Sequence, residues 1–240
     1  MATPAGAAPA AAEPPNPILD VFFSPSAAMD SLARKPRFLL PLIIVTIIGT
    51  ATMVIALQKG VIEHGMRQKM ETNPRFEQIP AERREAIIEQ SAKFGSYTVI
   101  GGAVIGPTIG LLLTSGVLLL LTNVVVGAKV RFQQMMAVVS HSWMPLAISH
   151  GIAIPILLAK EPDTVDFQNI VVANLSFLFS PTEQHRLYMI ATSIDLFSFW
   201  VIGLLALGLA RLSGKGTGTA LAIILIPWAL YVAIFKAWLG

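Results

Sequence analysis

The chain of 240 residues contains no cysteine. This absence excludes disulfide bonds, thiolate metal ligands and a cysteine nucleophile. Three catalytic patterns are also missing, because the sequence has no H-E-x-x-H, no G-x-S-x-G and no G-x-x-x-x-G-K-[ST]. We therefore predict no enzymatic activity, no cofactor and no metal site.

Charged residues are scarce, at 13% of the chain against about 25% in ordinary soluble domains. Hydrophobic residues reach 54%, where about 45–50% is usual. A soluble body of this composition would expose large apolar patches to water. We therefore expect a protein embedded in lipid.

Basic residues are scattered along the chain. There are 17 lysines and arginines, they never form a run of five, and the formal net charge is only +3. Nucleic-acid binding is therefore not expected. Membrane lipid is the partner that the composition favours.

The N-terminal part has two predicted pieces. Residues 1–17 are almost wholly Ala, Pro and Gly, with one charge, and are predicted to form a disordered tail. They lack the basic start and the apolar core of a signal peptide. Ser24-Pro25 is a typical helix start and predicts a short helix at the membrane surface.

Five long apolar stretches follow, and each is long enough for a membrane span of about 20 residues. Only Asp195 and Lys236 carry charge within them. The predicted fold is an all-α, polytopic bundle of five transmembrane helices in a single domain, residues 18–240. The spans are predicted at residues 38–57, 97–126, 135–158, 187–209 and 220–238.

Between spans one and two lies the most polar part of the chain. Residues 58–95 hold 13 of the 31 charged residues. We interpret this segment as a solvated helical loop outside the membrane. Residues 167–179 are apolar but too short to span, and are predicted to be interfacial or packed on the bundle.

The placement of the basic residues indicates the orientation. Ten of the 17 fall on one side, but most of those lie in the long loop, distant from the bilayer. On the other side the basic residues sit in short segments next to span ends, where they count most. We therefore expect the N-terminus in the cytoplasm and the C-terminus outside. The residues concerned are Arg34, Lys35, Arg37, Lys129, Arg131, Arg211 and Lys215.

Polar groups inside predicted spans are the candidate functional residues, because they are costly in lipid. His150 and Asp195 each lie eight residues from the outer end of their predicted span, at similar depth, and are predicted to pair. Asn123 and His141 are predicted to pair near the inner side. The alternative to a functional role is that these groups hold helices together.

Glycine recurs in the second span. Gly102, Gly106 and Gly110 form two overlapping G-x-x-x-G steps, which leave one helix face without side chains. Another helix can therefore approach closely. We predict packing within this chain, with a contact between two copies as the alternative.

Several short motifs occur in the order found in Yip-domain membrane proteins, particularly bacterial members. They comprise Phe23-Ser24-Pro25, Lys35-Pro36-Arg37, the segment 139–145 that ends in Pro145, and the segment 194–200 that contains Asp195 and ends in Trp200. Gly208-Leu209-Ala210 completes the set. The chain resembles this family over roughly residues 19–238.

The resemblance implies a non-enzymatic, five-span integral membrane protein. Eukaryotic relatives act in vesicle traffic, bind small GTPases and associate with one another. This chain has Ser140-His141 where the eukaryotic pattern has Gly-Tyr before the proline, and it has no counterpart of an Asp-Leu-Tyr-Gly-Pro segment. These departures make GTPase binding doubtful, which leaves other membrane proteins, or a second copy, as partners.

The leading hypothesis is a protein of the bacterial cytoplasmic membrane that scaffolds or organises the membrane or a membrane complex. The alternative is a small permease or an accessory subunit of an exporter that uses the His150/Asp195 pair. A third class, an intramembrane hydrolase, requires a water-filled cavity that reaches Asp195.

Overall fold

The chain folds into a bundle of helices, described in a computed structural model for residues 16–71, 76, 79–180 and 183–238. These residues form no strand longer than a single bridge pair. Five helical segments among them are long and apolar enough to cross a membrane, which confirms the all-α, polytopic fold. They are Leu39–Gln58, Arg83–Val125, Phe132–Ala159, Leu196–Ser213 and Thr217–Lys236.

Two helices precede the first span, where the sequence predicted one. Helix α1 is Pro17–Phe23 and helix α2 is Pro25–Arg34. Asn16 caps α1 by accepting a hydrogen bond from the N–H of Ile18 at 3.3 Å. Helix α1 therefore begins at Pro17, inside the predicted tail, of which residues 1–15 lie outside the described part of the chain.

These N-terminal helices pack against the spans. Val21, Met29 and Leu32 are completely buried. The ring of Phe22 meets that of Trp200 edge-on, with 5.7 Å between the ring centres. Burying such side chains contributes about 1.5–3 kcal/mol each, so α1 and α2 belong to the bundle.

The first span and the helix after it are separated by a tight turn. Helix α3 is Leu39–Gln58 and helix α4 is Val61–Glu71. Gly60 stands between them with φ +76°, in the left-handed region that glycine adopts without strain. The chain therefore reverses away from α3 within two residues.

One helix joins the polar loop to the second span. Helix α5 runs over Ala81–Val125, 45 residues, with Pro107 inside it. No helix break separates the charged and apolar parts, so the helix of the polar loop continues into the candidate span. Arg67 of α4 forms an ion pair with Glu85 of α5 at 3.3 Å.

The third span consists of two helices. Helix α6 is Phe132–Ser142 and helix α7 is Met144–Ala159, with Trp143 between them. Pro145 occupies the first turn of α7, where its missing N–H breaks no intrahelical bond. The proline therefore starts a helix here instead of kinking one.

The fourth span begins later than predicted. Helix α8 is His185–Ala191 and helix α9 is Leu196–Ser213. A turn separates them because Asp195 caps the start of α9. In its most apolar stretch 44% of α9 is buried, against 17% in α5, so α9 lies near the centre of the bundle.

Helix α10 is Thr217–Tyr231 and continues as a π-helical turn over Val232–Lys236. Between α7 and α8 the chain forms two short 3-10 turns, Pro162–Thr164 and Leu175–Leu178. Residues 167–179 contain no spanning helix. They lie on the end of the bundle where α7 finishes and α9 begins.

Candidate functional site

Asp195 is the helix cap of the fourth span. Its Oδ1 accepts hydrogen bonds from the N–H groups of Phe197 and Ser198, both at 2.9 Å. The N–H of the next residue, Leu196, donates to the carbonyl of Ala173 at 3.1 Å. The Asp195 side chain therefore fixes the start of α9, and the Leu196 N–H joins this start to the segment at Ala173.

His150 lies on α7 and faces α3. Its backbone carbonyl accepts a hydrogen bond from the hydroxyl of Thr52 at 3.1 Å. Its ring lies 3.6 Å from the point where a side chain on Gly49 would begin. Within the described residues the ring forms no hydrogen bond, so the predicted direct pair with Asp195 is not formed.

The structure nevertheless brings His150 and Asp195 to one cavity. The cavity has a volume of about 240 Å³ and lies where α3, α7, α9 and the end of the fifth span approach one another. Lys236 is the third ionisable residue that lines it. In place of a direct pair, His150 and Asp195 therefore line a common cavity, and Lys236 adds a positive charge to its wall.

The rest of the cavity wall is mixed in chemistry. Hydroxyl and amide groups come from α3, from α7, from the segment after α7 and from the turn after α8, and apolar side chains complete the lining. The polar members are Thr52, Ser149, Gln168, Asn169, Asn174 and Thr192, and the large apolar members are Met53, Phe167 and Phe197.

A polar network holds the segment that covers this cavity. The side-chain amide of Asn169 donates to the hydroxyl of Ser176 at 2.7 Å, and that of Asn174 donates to Oδ1 of Asn169 at 2.7 Å. The hydroxyl of Tyr188 donates to the carboxylate of Asp166. The segment is therefore tied to α8 as well as to itself.

Two sequence features are consistent with this network, although neither predicts its hydrogen bonds. Polar residues interrupt the apolar segment 167–179, and a tyrosine follows in the next helix. Burial, followed by the hydrogen bond to Asp166, raises the pKa of Tyr188 above its usual value. Tyr188 therefore keeps its proton and remains a donor at neutral pH.

Asn123 and His141 each bond to backbone near their own position. Asn123 donates to the carbonyl of Val130 at 3.0 Å and accepts from the N–H of Val130 at 3.0 Å. Nδ1 of His141 lies 2.9 Å from the carbonyl of Ala137, one turn earlier in α6. The structure does not pair the two residues, because each is already matched to its own backbone.

The three glycines of the second span differ in their surroundings. A Cβ on Gly110 would lie 3.2 Å from the ring of Trp143. Among the described residues, no atom lies within 4 Å of such a position on Gly102 or Gly106. Of the three glycines, Gly110 therefore approaches another described helix and the other two do not.

The residues that carry the motif resemblance lie mainly on packing contacts. Pro25 is the first residue of α2, and Pro145 lies in the first turn of α7. Trp200 packs on Phe22. Gly208 lies against Val138 and Met29, where a side chain has no room.

No cluster of three histidine or acidic residues that could hold a metal is found in the part of the chain that the structure describes. Ser149 and His150 both line the cavity, yet the described residues show no hydrogen bond between their side chains. A hydrolase of the serine type uses such a contact between nucleophile and base. The arrangement is suited to binding a polar group.

Five helices that are long and apolar enough to cross a membrane define an integral membrane protein of the all-α class. The family profile of the Yip1 domain matches residues 19–239, and the chain belongs to that family of non-enzymatic membrane proteins. No curated protein and no solved structure matches it.

Proposed function

We propose that this protein scaffolds or organises the membrane or a membrane complex and catalyses no reaction. One observation carries the proposal: the polar side chains Asp195, Asn123 and Thr52 are used to hold this chain together. Asp195 caps α9, Asn123 anchors the turn at Val130, and Thr52 joins α3 to the backbone of His150. Groups used in this way stabilise a fixed bundle.

The same bundle offers extensive surface to partners. Helix α5 is the least buried of the candidate spans, and no described residue lies within 4 Å of the Cβ positions of its glycines at 102 and 106. Membrane proteins associate through packing of such lipid-facing surfaces and through small residues. This supports partners that are other membrane proteins or a second copy.

We place the protein in the bacterial cytoplasmic membrane with its N-terminus inside. The seven basic residues near one end of the bundle are all exposed, and the only ion pair that the described residues form among them joins Arg211 to Asp30 at 3.4 Å. Unpaired cations next to span ends favour the cytoplasmic side. The motif resemblance to bacterial members supports the choice of membrane.

Binding of a small GTPase is not part of the proposal. Ser140 and His141, which replace the Gly-Tyr of the eukaryotic pattern, are 1% and 2% exposed. Neither side chain can touch a partner in this conformation.

Transport is the second candidate, and one observation favours it. His150 and Asp195 line the same cavity, as a small permease or exporter subunit would require. The Asp195→Asn variant in reconstituted vesicles separates the candidates, because asparagine also caps a helix and preserves the fold. Loss of solute or proton flux with unchanged thermal stability would favour transport.

The scaffold proposal is tested by purification from the native membrane in a mild detergent. We expect a defined set of membrane proteins, or a second copy, to accompany the chain at constant ratio. A protein that always purifies alone contradicts the proposal.

A further inference from the structure

We propose that the cavity lined by His150, Asp195 and Lys236 binds a phosphoethanolamine group, supplied by the headgroup of a phospholipid. Such a lipid site is independent of the scaffold role, because a ligand can bind whether or not the protein has a protein partner. A protein that purifies alone would leave it intact.

The cavity presents one fixed charge of each sign. Lys236 forms no ion pair and no hydrogen bond within the described residues. Asp195 uses Oδ1 for both of its capping bonds, and Oδ2 accepts no hydrogen bond from the described part of the chain. A ligand with both a negative and a positive group would neutralise both residues.

The chemistry of the two charged residues selects the ligand class. A lysine ammonium has three N–H donors and suits a phosphate, which accepts several hydrogen bonds. The second oxygen of Asp195 suits a primary ammonium, which donates N–H groups. A quaternary ammonium lacks those donors, and a purely anionic headgroup would be repelled by Asp195.

The volume agrees with a group of this size. At about 30 Å³ per water-sized group, the cavity of about 240 Å³ holds about eight such groups. Phosphoethanolamine has about eight non-hydrogen atoms, and covalently bonded atoms occupy less volume than separate water molecules, so the cavity has room for the group. Amides and hydroxyls such as Asn169 and Thr192 in the wall supply further polar neighbours.

The position of the cavity favours a lipid over a soluble molecule. Asp195 immediately precedes the fourth span and Lys236 ends the fifth, so the charges lie at the ends of membrane helices. Their neighbours in sequence, Leu196 and Phe235, are 62% and 54% exposed. Exposed apolar side chains beside a polar cavity suit acyl chains below a headgroup.

The test measures lipid binding to the purified, delipidated, full-length protein by native mass spectrometry. The lipids compared are phosphatidylethanolamine, phosphatidylcholine and phosphatidylglycerol with identical acyl chains. We expect one phosphatidylethanolamine per chain, bound about tenfold more tightly than either of the others. The loss of one charge-assisted hydrogen bond weakens binding by about this factor. Equal binding of all three lipids overturns the proposal.

Variants connect the binding to the cavity. We expect Lys236→Gln and Asp195→Asn each to weaken phosphatidylethanolamine binding about tenfold. Lys215→Gln, at an exposed lysine near the opposite end of the bundle, is the matched control and should bind as the unchanged protein does. Thermal unfolding checks that both variants fold, since Lys236 has no hydrogen-bond or ion-pair partner among the described residues and asparagine retains the cap.

A soluble competitor distinguishes the two sources of the ligand. Excess glycerophosphoethanolamine should displace the lipid poorly, because it lacks acyl chains. If it binds as tightly as the lipid, the lipid assignment is wrong. If neither variant weakens binding, the cavity is not the site.

Discussion

Gly208 of α9 lies so close to Val138 of α6 that a Cβ on the glycine would overlap a methyl group of the valine. The same Cβ would lie 3.0 Å from the sulfur of Met29 in α2. Three helices therefore meet at one glycine. This contact seats the N-terminal helices on the fourth span.

Gly208→Ala should destabilise the protein by about 1–3 kcal/mol, because the new methyl group would overlap the completely buried side chain of Val138. Gly203→Ala in the same helix is the control. No atom of the described residues lies within 4 Å of its Cβ position, so alanine there should be neutral or slightly stabilising. Thermal unfolding in detergent measures both, and equal effects would contradict the packing described.

Asp195→Ala should destabilise the protein by about 0.5–2 kcal/mol through loss of the two capping bonds to α9. Asp195→Asn should lie close to the unchanged protein, since an amide oxygen accepts the same bonds. The comparison is made by unfolding of the two variants side by side. A large loss with asparagine would mean that the negative charge itself stabilises the fold.

Stability should fall at high pH through Tyr188. Its raised pKa means that the folded protein retains the hydroxyl proton where the unfolded chain has lost it. The contribution of the bond to Asp166 is therefore complete below about pH 10, and is lost as the pH rises through the pKa of the folded protein. Tyr188→Phe should unfold with a weaker pH dependence in this range, and an unchanged dependence would assign the effect to other groups.

The second span offers a test of helix contacts within the chain. Gly110→Leu should destabilise the protein by about 1–3 kcal/mol, because Trp143 occupies the space beside it. Gly106→Leu, one turn away with nothing nearby, should change stability by less than about 0.5 kcal/mol. Loss of a co-purifying protein in the Gly106→Leu variant, with stability unchanged, would place a partner at this face.

The spans were predictable because length and the absence of charge define a membrane helix almost alone. The start of α9 was not. An aspartate within an apolar stretch has the same sequence signature whether it lies inside a helix or caps one, and the choice depends on the Ala173 carbonyl that fixes the turn. The predicted pairing of Asp195 with His150 assumed that each residue lies within a straight helix and compared their depths along it.

The candidate site was predictable only in part. His150 and Asp195 were singled out by their cost in lipid, and the cavity does join them. Lys236 was not, since a lysine at a span end is ordinary. Folding brings Lys236, in the π-helical turn after α10, to the same cavity as Asp195. The spacing of the two residues in the sequence does not predict this.

The absence of cysteine allows one measurement that tests the scaffold proposal directly. Single cysteines are introduced at exposed positions around the bundle and cross-linked in the native membrane, with products identified by mass spectrometry. We predict one partner, or a second copy, recovered reproducibly from cysteines on one face. Recovery of the chain alone from every position, or of random neighbours in proportion to their abundance, would contradict the account. The positions are Leu40, Gly102, Val104, Gly106, Ile152 and Ile226.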